Sequence, residues 1–270
     1  MVLGQLNLEG RGLEVAPYSN PLLLKGEHNV AYTDYASTEI LREKASRNPG
    51  AVGREVPAVD FVWSRGVPLS ECTNERFDYA VASHVIEHAP NVIGWVNDIL
   101  SVMRPDAVLA LCVPDKRRTM DYYRRETTLG ELVGNWIENR TIPTPAQVMD
   151  FLSQSFRDVG VRPQPFEQGL VFEQVPREYA DQQALDFAVF THNETYYLDV
   201  HCTVWTPESF VDVFSRLTAL GIFAIDIGTP VENCERDEFI VHLTKRGEPS
   251  VLPPSAKTQP APQLARSRKH

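Results

Sequence analysis

A chain of 270 residues, 43% hydrophobic and 23% charged, has the composition of a globular protein with room for one large domain. The net charge is −10, and five basic residues (Arg246, Lys257, Arg266, Arg268, Lys269) are gathered behind this acidic body against one acid, Glu248. Such a body excludes a protein built to bind a phosphate backbone, and no apolar run approaches the roughly 18–20 residues of a membrane span.

The first predicted strand, 12–16, opens the stretch GLEVAPYSNP (12–21), in which an apolar run carrying Glu14 breaks into a turn at Pro17. Further strands are expected at 29–33, 56–62, 77–83 and 107–113, nearly continuous in apolar character as strands covered on both faces are. A helix is expected at 38–47, capped by Ser37 or Thr38, and another at 92–104. In the latter, apolar residues recur with a helical period, Asn91 is placed to cap, and Pro105 marks the stop. This alternation of strand and helix predicts a parallel, doubly wound sheet.

Residues 114–204 break the rhythm with prolines, aromatics and helical pieces at 129–139 and 145–157, which is too long for a plain loop. They are expected to form a helical insertion packed over the sheet. The theme resumes at Thr206-Pro207-Glu208, a cap followed by proline at the first helical position, and the helix is expected to end at Gly221. Strands at 222–228 and 238–244 then form an antiparallel pair. The expected organisation is one domain over 1–246, with 114–204 as a substrate-side insertion, followed by a disordered, proline-rich basic tail at 247–270. The N-terminus lacks the basic and long apolar regions of a signal peptide, and Cys72, Cys112, Cys202 and Cys234 are widely spaced. Both features fit a cytoplasmic protein with reduced thiols.

In an open α/β sheet the ligand lies beyond the carboxyl ends of the strands. Asp34 closes the second strand 20 residues after Glu14, where a carboxylate can accept from both hydroxyls of a ribose, or can equally be a turn acid. Asp60 and Phe61 stand in the third strand's run, where an acid can meet an adenine amino group and a ring can pack beside it. Ser83, His84, Glu87 and His88 follow the fourth strand in RFDYAVASHVIEHAPN (76–91), and His is the natural proton carrier near neutral pH. Asp115 and Lys116 follow the fifth strand. His84, Glu87 and His88 also spell H-x-x-E-H, a zinc peptidase pattern. That chemistry needs both histidines on one helix face and a further ligand, whereas here the motif straddles a strand-to-helix break. No metal site is therefore assigned, and a zinc hydrolase is kept only as a remote alternative.

Together these pieces resemble the class I S-adenosylmethionine-dependent methyltransferases. The likeness covers about 11–113 and 205–245. Its longest run is ERFDYAVASHVIEHAPNVIGWVNDILSVMRPDAVLALCVPDK (75–116), similar to the family's fourth strand with S-x-V-[IL]-E-H, an amphipathic helix, L-[KR]-P-G-G and a fifth strand. The resemblance implies a Rossmann-like sheet of seven strands in the order 3-2-1-4-5-7-6, with the last strand antiparallel. It implies S-adenosylmethionine as cofactor, with Glu14, Ala16 and Pro17 in the first cofactor turn, Asp34 on the ribose, Asp60 and Phe61 at the adenine, and Ser83 and His84 at the methyl-transfer end. His84, Glu87, His88 and Asp115 are then nominees for the catalytic base. The first motif of the family carries three glycines and this chain none, with Ala16 at the first glycine position; Asp106 and Ala107 replace the later Gly pair. Ala16 is compatible with such a turn if its φ is negative. Similar branches are associated with glycan pathways. The expected activity is therefore O- or N-methylation of a small-molecule or saccharide substrate, with Tyr122, Tyr123, Trp136, Tyr196 and Tyr197 available to stack and YYRR (122–125) available to an anion. The alternative is a methyltransferase-fold protein that has lost catalysis and serves in binding or assembly.

Overall fold

The computed structural model describes residues 2–51, 53–157 and 163–252. The sheet is built from β1 (Gly12–Val15), β2 (Val30–Asp34), β3 (Phe61–Val62), β4 (Phe77–Ser83), β5 (Met103–Pro114), β6 (Ile225–Ile227), β7 (Val231–Asn233) and β8 (Glu238–Lys245). Its order is β3-β2-β1-β4-β5-β8-β6; β1 to β5 are parallel, and β8 runs antiparallel between β5 and β6. This is the expected seven-stranded order with one refinement. The sixth strand is broken into β6 and β7, both antiparallel to β8, and the Gly228 N–H donates to the His242 carbonyl (2.8 Å) where the break occurs.

The apolar strands are apolar because both faces are covered. Along β4, Ala80 and Ala82 enter one buried cluster while Tyr79 and Val81 enter another, as the two-residue period of a strand requires. The expected helix at 38–47 forms as α1 (Thr38–Ser46), and a single turn, α2 (Leu69–Cys72), precedes β4. The first cluster is sealed by α3 (Val92–Ser101), through Val92, Ile93, Val96 and Ile99, and by α7 (Pro207–Ala219), through Phe210, Val213, Phe214 and Leu217. The Asn91 side chain accepts from the Gly94 N–H (2.9 Å), and the Thr206 hydroxyl accepts from the Ser209 N–H (3.2 Å), so these two expected caps form. Ser37, before α1, makes no capping hydrogen bond, and the Thr38 hydroxyl accepts from the Val59 N–H (2.9 Å) instead. Gly221 has φ +73°, the left-handed conformation that lets the chain leave α7.

Three elements depart from expectation. The third strand is only two residues long, not 56–62, because Pro57 offers no N–H to a ladder and the strand lies at the sheet edge. The helix expected to run to 104 ends at Ser101, and β5 starts at Met103. Pro105 and Asp106 then sit in a β-bulge, where Phe77 pairs with Met103 but Tyr79 with Val108, and Asp106 takes φ +61°. The tail does not depart at 247. The Ser250 and Val251 N–H groups both donate to the Gly221 carbonyl (2.9 and 3.0 Å), which ties 247–252 back to the end of α7. The rest of the expected tail, 253–270, lies outside the described residues.

The insertion carries α4 (Leu129–Ile137), α5 (Pro145–Gln154) and α6 (Asp181–Asn193). Capping boxes at Thr128–Glu131 and Thr144–Gln147 start the first two. Leu132 and Trp136 of α4 join the main core, whereas α5 and α6 pack on each other through Val148, Leu152, Ala184 and Ala188. Sequence periodicity did not assign α6, because this helix buries only small residues (Ala184, Ala188, Thr191) while Leu185, Val189 and Phe190 stay about half exposed.

Candidate active site

A cavity of about 1150 Å³ opens at the carboxyl ends of β1, β2, β3 and β4. Its floor is Val15, Ala16 and Asp34; Trp63, Ser64 and Arg65 form one side beyond β3; His84 and His88 form the other beyond β4. The insertion supplies the remaining wall from residues 139–142 and 194–199.

The first turn keeps a glycine's conformation without a glycine. Ala16 has φ +51° and Tyr18 φ +45°, both left-handed, and the Ala16 N–H donates to the Thr33 carbonyl (2.7 Å). The condition of negative φ at Ala16 is therefore not met: the turn shape is held and the methyl group is strained. Such a residue costs about 1–2 kcal/mol. Replacing Ala16 with glycine should accordingly stabilise the fold by about 0.5–1 kcal/mol, net of the greater unfolded-state freedom of glycine. Chemical denaturation measures this; a loss of stability would mean that the methyl packing against the core outweighs the strain.

Glu14 does not reach the cavity wall. It is buried, and its carboxylate accepts from the Leu22 and Leu23 N–H groups (2.7 and 3.0 Å), clamping the segment after the turn. Burial outweighs those bonds and pushes its carboxyl up to about 7. Asp34 does reach the cavity. One carboxylate oxygen accepts from the Tyr35 N–H (2.8 Å), and burial, opposed by that bond and by the Lys44 charge, raises its pKa to about 6.

Asp60 and Phe61 lie elsewhere. Asp60 accepts from the Tyr32 N–H (2.6 Å) and from Lys25 (2.8 Å) at the start of β3, and Phe61 stacks on Phe77 in the core (6.5 Å). Because β3 is short and late, the residues at its carboxyl end are Trp63, Ser64 and Arg65, and Trp63 lies nearly parallel to Trp95 (6.4 Å, 17°). Arg65 places its guanidinium over the Tyr197 ring (3.5 Å) and within 5.1 Å of Tyr35, linking the sheet loops to the insertion. Pro17, Ser83 and Asp115 are also off the cavity wall. Asp115 is fully buried and paired with Arg117 (2.6 Å).

Of the four nominees for a base, His84 and His88 face the cavity. His84 sits at φ +54°, and its Nε2 donates to the buried Glu238 of β8 (2.8 Å). Burial opposes its charged form, but the Glu238 bond and the Glu87 charge prevail and raise its pKa. Residues 86–88 form a single 3-10 turn, so His84 and His88 are not one helix turn apart on a common face, and the zinc peptidase arrangement is absent here. The aromatic nominees divide likewise. Tyr196 and Tyr197 line the cavity, whereas Tyr122 stacks on Phe166 (4.6 Å), Tyr123 packs among Phe156 and Phe172, and Trp136 is core. Arg124 is buried on Asp121 (2.7 Å) and Asp150 (2.8 Å), and Arg125 pairs with Glu131, so YYRR presents no free cationic pair.

Sequence reasoning missed Glu238, Asp199, Asp121 and His201. His201 Nδ1 lies 2.5 Å from Asp121, and His88 Nδ1 lies 2.9 Å from Asp199. No local pattern marks these residues, which come together only through the insertion's return to the sheet.

A family model described as a methyltransferase domain matches residues 2–161, and the chain belongs to that family. By fold and family it belongs to the class I S-adenosylmethionine-dependent methyltransferases, and the family's cofactor is S-adenosylmethionine. No curated protein matches the sequence. Similar solved structures include an S-adenosylmethionine-dependent methyltransferase from Methanosarcina mazei (17% identity, 90% of this chain and 95% of that one, TM-score 0.40). Others are DhpI in complex with SAH (15%, 89% and 78%, 0.39) and the CurJ carbon methyltransferase (12%, 91% and 51%, 0.42). The chain thus spans about half the length of the CurJ structure.

The residues present fit that cofactor. A carboxylate at the end of β2 suits a vicinal diol, Trp63 and Tyr35 line the same cavity, and the backbone at Ala16 holds the left-handed turn that brings main chain close to a ligand. No helix among the described residues is long and apolar enough to cross a membrane.

Proposed function

We propose that the chain methylates an oxygen or nitrogen of a small-molecule or saccharide acceptor, with the segments of 114–204 that face the cavity acting as the acceptor's cover. One observation carries this reading: the cofactor-side residues Ala16 and Asp34 and the insertion residues Tyr196 to Asp199 line one and the same cavity. Bound S-adenosylmethionine supplies an electrophilic methyl group on a sulfonium. Asp34 would accept from the ribose hydroxyls, and Trp63 and Tyr35 would hold the base. Tyr196 and Tyr197 offer faces for a sugar or an aromatic ring, and the cover excludes water while the acceptor is aligned. His84 takes the acceptor's proton, and Glu238, already bonded to its Nε2, stabilises the imidazolium that results.

Calorimetry with S-adenosylmethionine and S-adenosylhomocysteine, followed by transfer of a labelled methyl group to a panel of hydroxylated and aminated acceptors, tests the proposal. Absence of cofactor binding at millimolar concentration would sink it and favour the non-catalytic alternative. A pH series adds a sharper check. Because burial lifts Asp34 to about 6, its carboxylate is fully present only above that value. Cofactor affinity should therefore be about ten-fold lower at about pH 5 than at about pH 7.5, with the loss setting in as pH falls through about 6. A flat profile would remove the Asp34 carboxylate from the ribose site.

A further inference from the structure

Beneath the cavity wall a second constellation of polar groups has no role in the reading above. Glu87 is 2% exposed, and both its carboxylate oxygens are buried without a hydrogen-bond partner. A carboxylate deprived of water and of donors is costly to bury, unless something else neutralises it. Its neighbours are imidazoles. His84 Nδ1 and His88 Nε2 lie 3.7 and 3.9 Å from Glu87 Oε1, and the His88 and His201 rings meet edge to face at 4.9 Å. One ligand-type atom from each of Glu87, His88 and His201 lies within 4.8 Å of the other two.

One of the two imidazoles is backed as a metal ligand is. His201 Nδ1 is held by Asp121 (2.5 Å), itself fixed by buried Arg124 (2.7 Å). A carboxylate on Nδ1 fixes the tautomer with its proton there and leaves Nε2 with a lone pair, the arrangement in which a second carboxylate backs a metal-ligating histidine. His88 Nδ1 lies 2.9 Å from Asp199 but is buried without a hydrogen-bond partner, so this imidazole, like the Glu87 carboxylate, has a polar atom left unsatisfied. The backbone fastens the two halves of the cluster together. The Cys202 and Thr203 N–H groups both donate to the Glu87 carbonyl (2.6 and 3.2 Å), so the segment carrying His201 is pinned to the turn carrying Glu87 and His88.

We propose that Glu87, His88 and His201 hold a divalent transition-metal ion at the wall of the cavity. Two imidazole nitrogens and one carboxylate are a donor set for Zn²⁺ and its first-row neighbours, and three protein ligands leave positions open. Bonds of about 2.0–2.1 Å would draw the three groups inward by roughly 1 Å. The ligands differ from those suggested by H-x-x-E-H: His84 is tied to Glu238, and the third ligand comes from 113 residues beyond His88. Since His88 is also a cavity residue, an open position on the ion is within reach of an oxygen-bearing acceptor. That last step rests on the methyltransferase reading; the metal site does not.

The full-length protein, stripped of metal by a chelator and dialysed, is titrated with Co²⁺ and followed by visible absorption, with Zn²⁺ as competitor and total metal measured by mass spectrometry. The expected result is one Co²⁺ per chain, displaced by Zn²⁺, without the thiolate charge-transfer band that ligation by neighbouring Cys202 would give. Glu87→Gln and His201→Gln should each abolish the spectrum, and Asp121→Asn should weaken binding by about 10–100-fold. Wild-type protein that binds no Co²⁺, shows a thiolate band, or binds unchanged after both ligand substitutions overturns the proposal. The wild-type titration decides even if a variant fails to fold. Calorimetry with S-adenosylhomocysteine on the same samples separates the two readings: metal binding without cofactor binding leaves this site standing and removes the proposed function.

Discussion

Replacing Arg124 with alanine is expected to destabilise the protein by about 3–5 kcal/mol, the scale of removing one partner from a buried ion pair. Arg124 and Asp121 are both almost fully buried, and the guanidinium donates to Asp121 (2.7 Å), to Asp150 (2.9 Å) and to the His201 carbonyl (2.9 Å). Burial alone would push the Asp121 carboxyl up, but His201 and Arg124 together hold it down at about 2. Without Arg124 the carboxylate keeps only His201, the 121–124 turn loses its tie to α5 through Asp150, and the His201 carbonyl loses a donor. The cost is greater than for the surface pairs elsewhere in the chain, such as Arg47 with Glu43, where both groups are solvated and truncation should change stability by under about 1 kcal/mol. Denaturant titration of the two variants side by side makes the comparison. Equal effects would mean that the insertion is held by its apolar contacts and that the buried pair contributes nothing net.

The second large effect concerns the cofactor. Asp34→Ala should weaken S-adenosylmethionine binding by about 1–3 kcal/mol, the scale of a lost charge-assisted hydrogen bond. Asp60→Ala provides the contrast. Both acids were drawn from the same reasoning about strand ends, but Asp60 braces Tyr32 and Lys25 outside the cavity and its loss should leave affinity unchanged. Calorimetry on both variants tests the placement. Retained affinity in Asp34→Ala, or a matching loss in Asp60→Ala, would mean that the cofactor lies differently from the arrangement proposed here.

The contrast between these two acids shows where sequence reasoning reached its limit at the strand ends. Asp34 stands at the carboxyl end of its strand as expected, because β2 is an interior strand whose apolar run stops where its ladder stops. Asp60 precedes its strand instead of closing it, because the edge strand β3 has little burial to mark its ends and Pro57 removes the first half of the apparent run from the ladder. A shift of a few residues along that strand moved the cavity side from Asp60 and Phe61 to Trp63, Ser64 and Arg65. Ala16 shows a different limit. The turn at the end of β1 was legible from Pro17 and the broken apolar run, yet the left-handed φ of Ala16 runs against its local preference and is imposed by the sheet on one side and the Glu14 clamp on 22–23 on the other.

What the sequence determined by itself was the periodic part of the molecule. The interior parallel strands β1, β2, β4 and β5, α3 with its Asn91 cap, α7 with its Thr206-Pro207 start, and the antiparallel ending all follow from local spacing of apolar residues and from caps that act within four residues. The polar cluster after β4 was visible for the same reason, since it interrupts an apolar run. Only the tertiary structure decided which of those polar groups meet the cavity and what each one touches. Glu238 reaches His84 across 154 positions, and Asp121 reaches His201 across 80. Such partners share no period and no motif. They are brought together because the insertion must bury α5 against α6 and return along the β4 end, and packing of that kind is set by the whole chain at once.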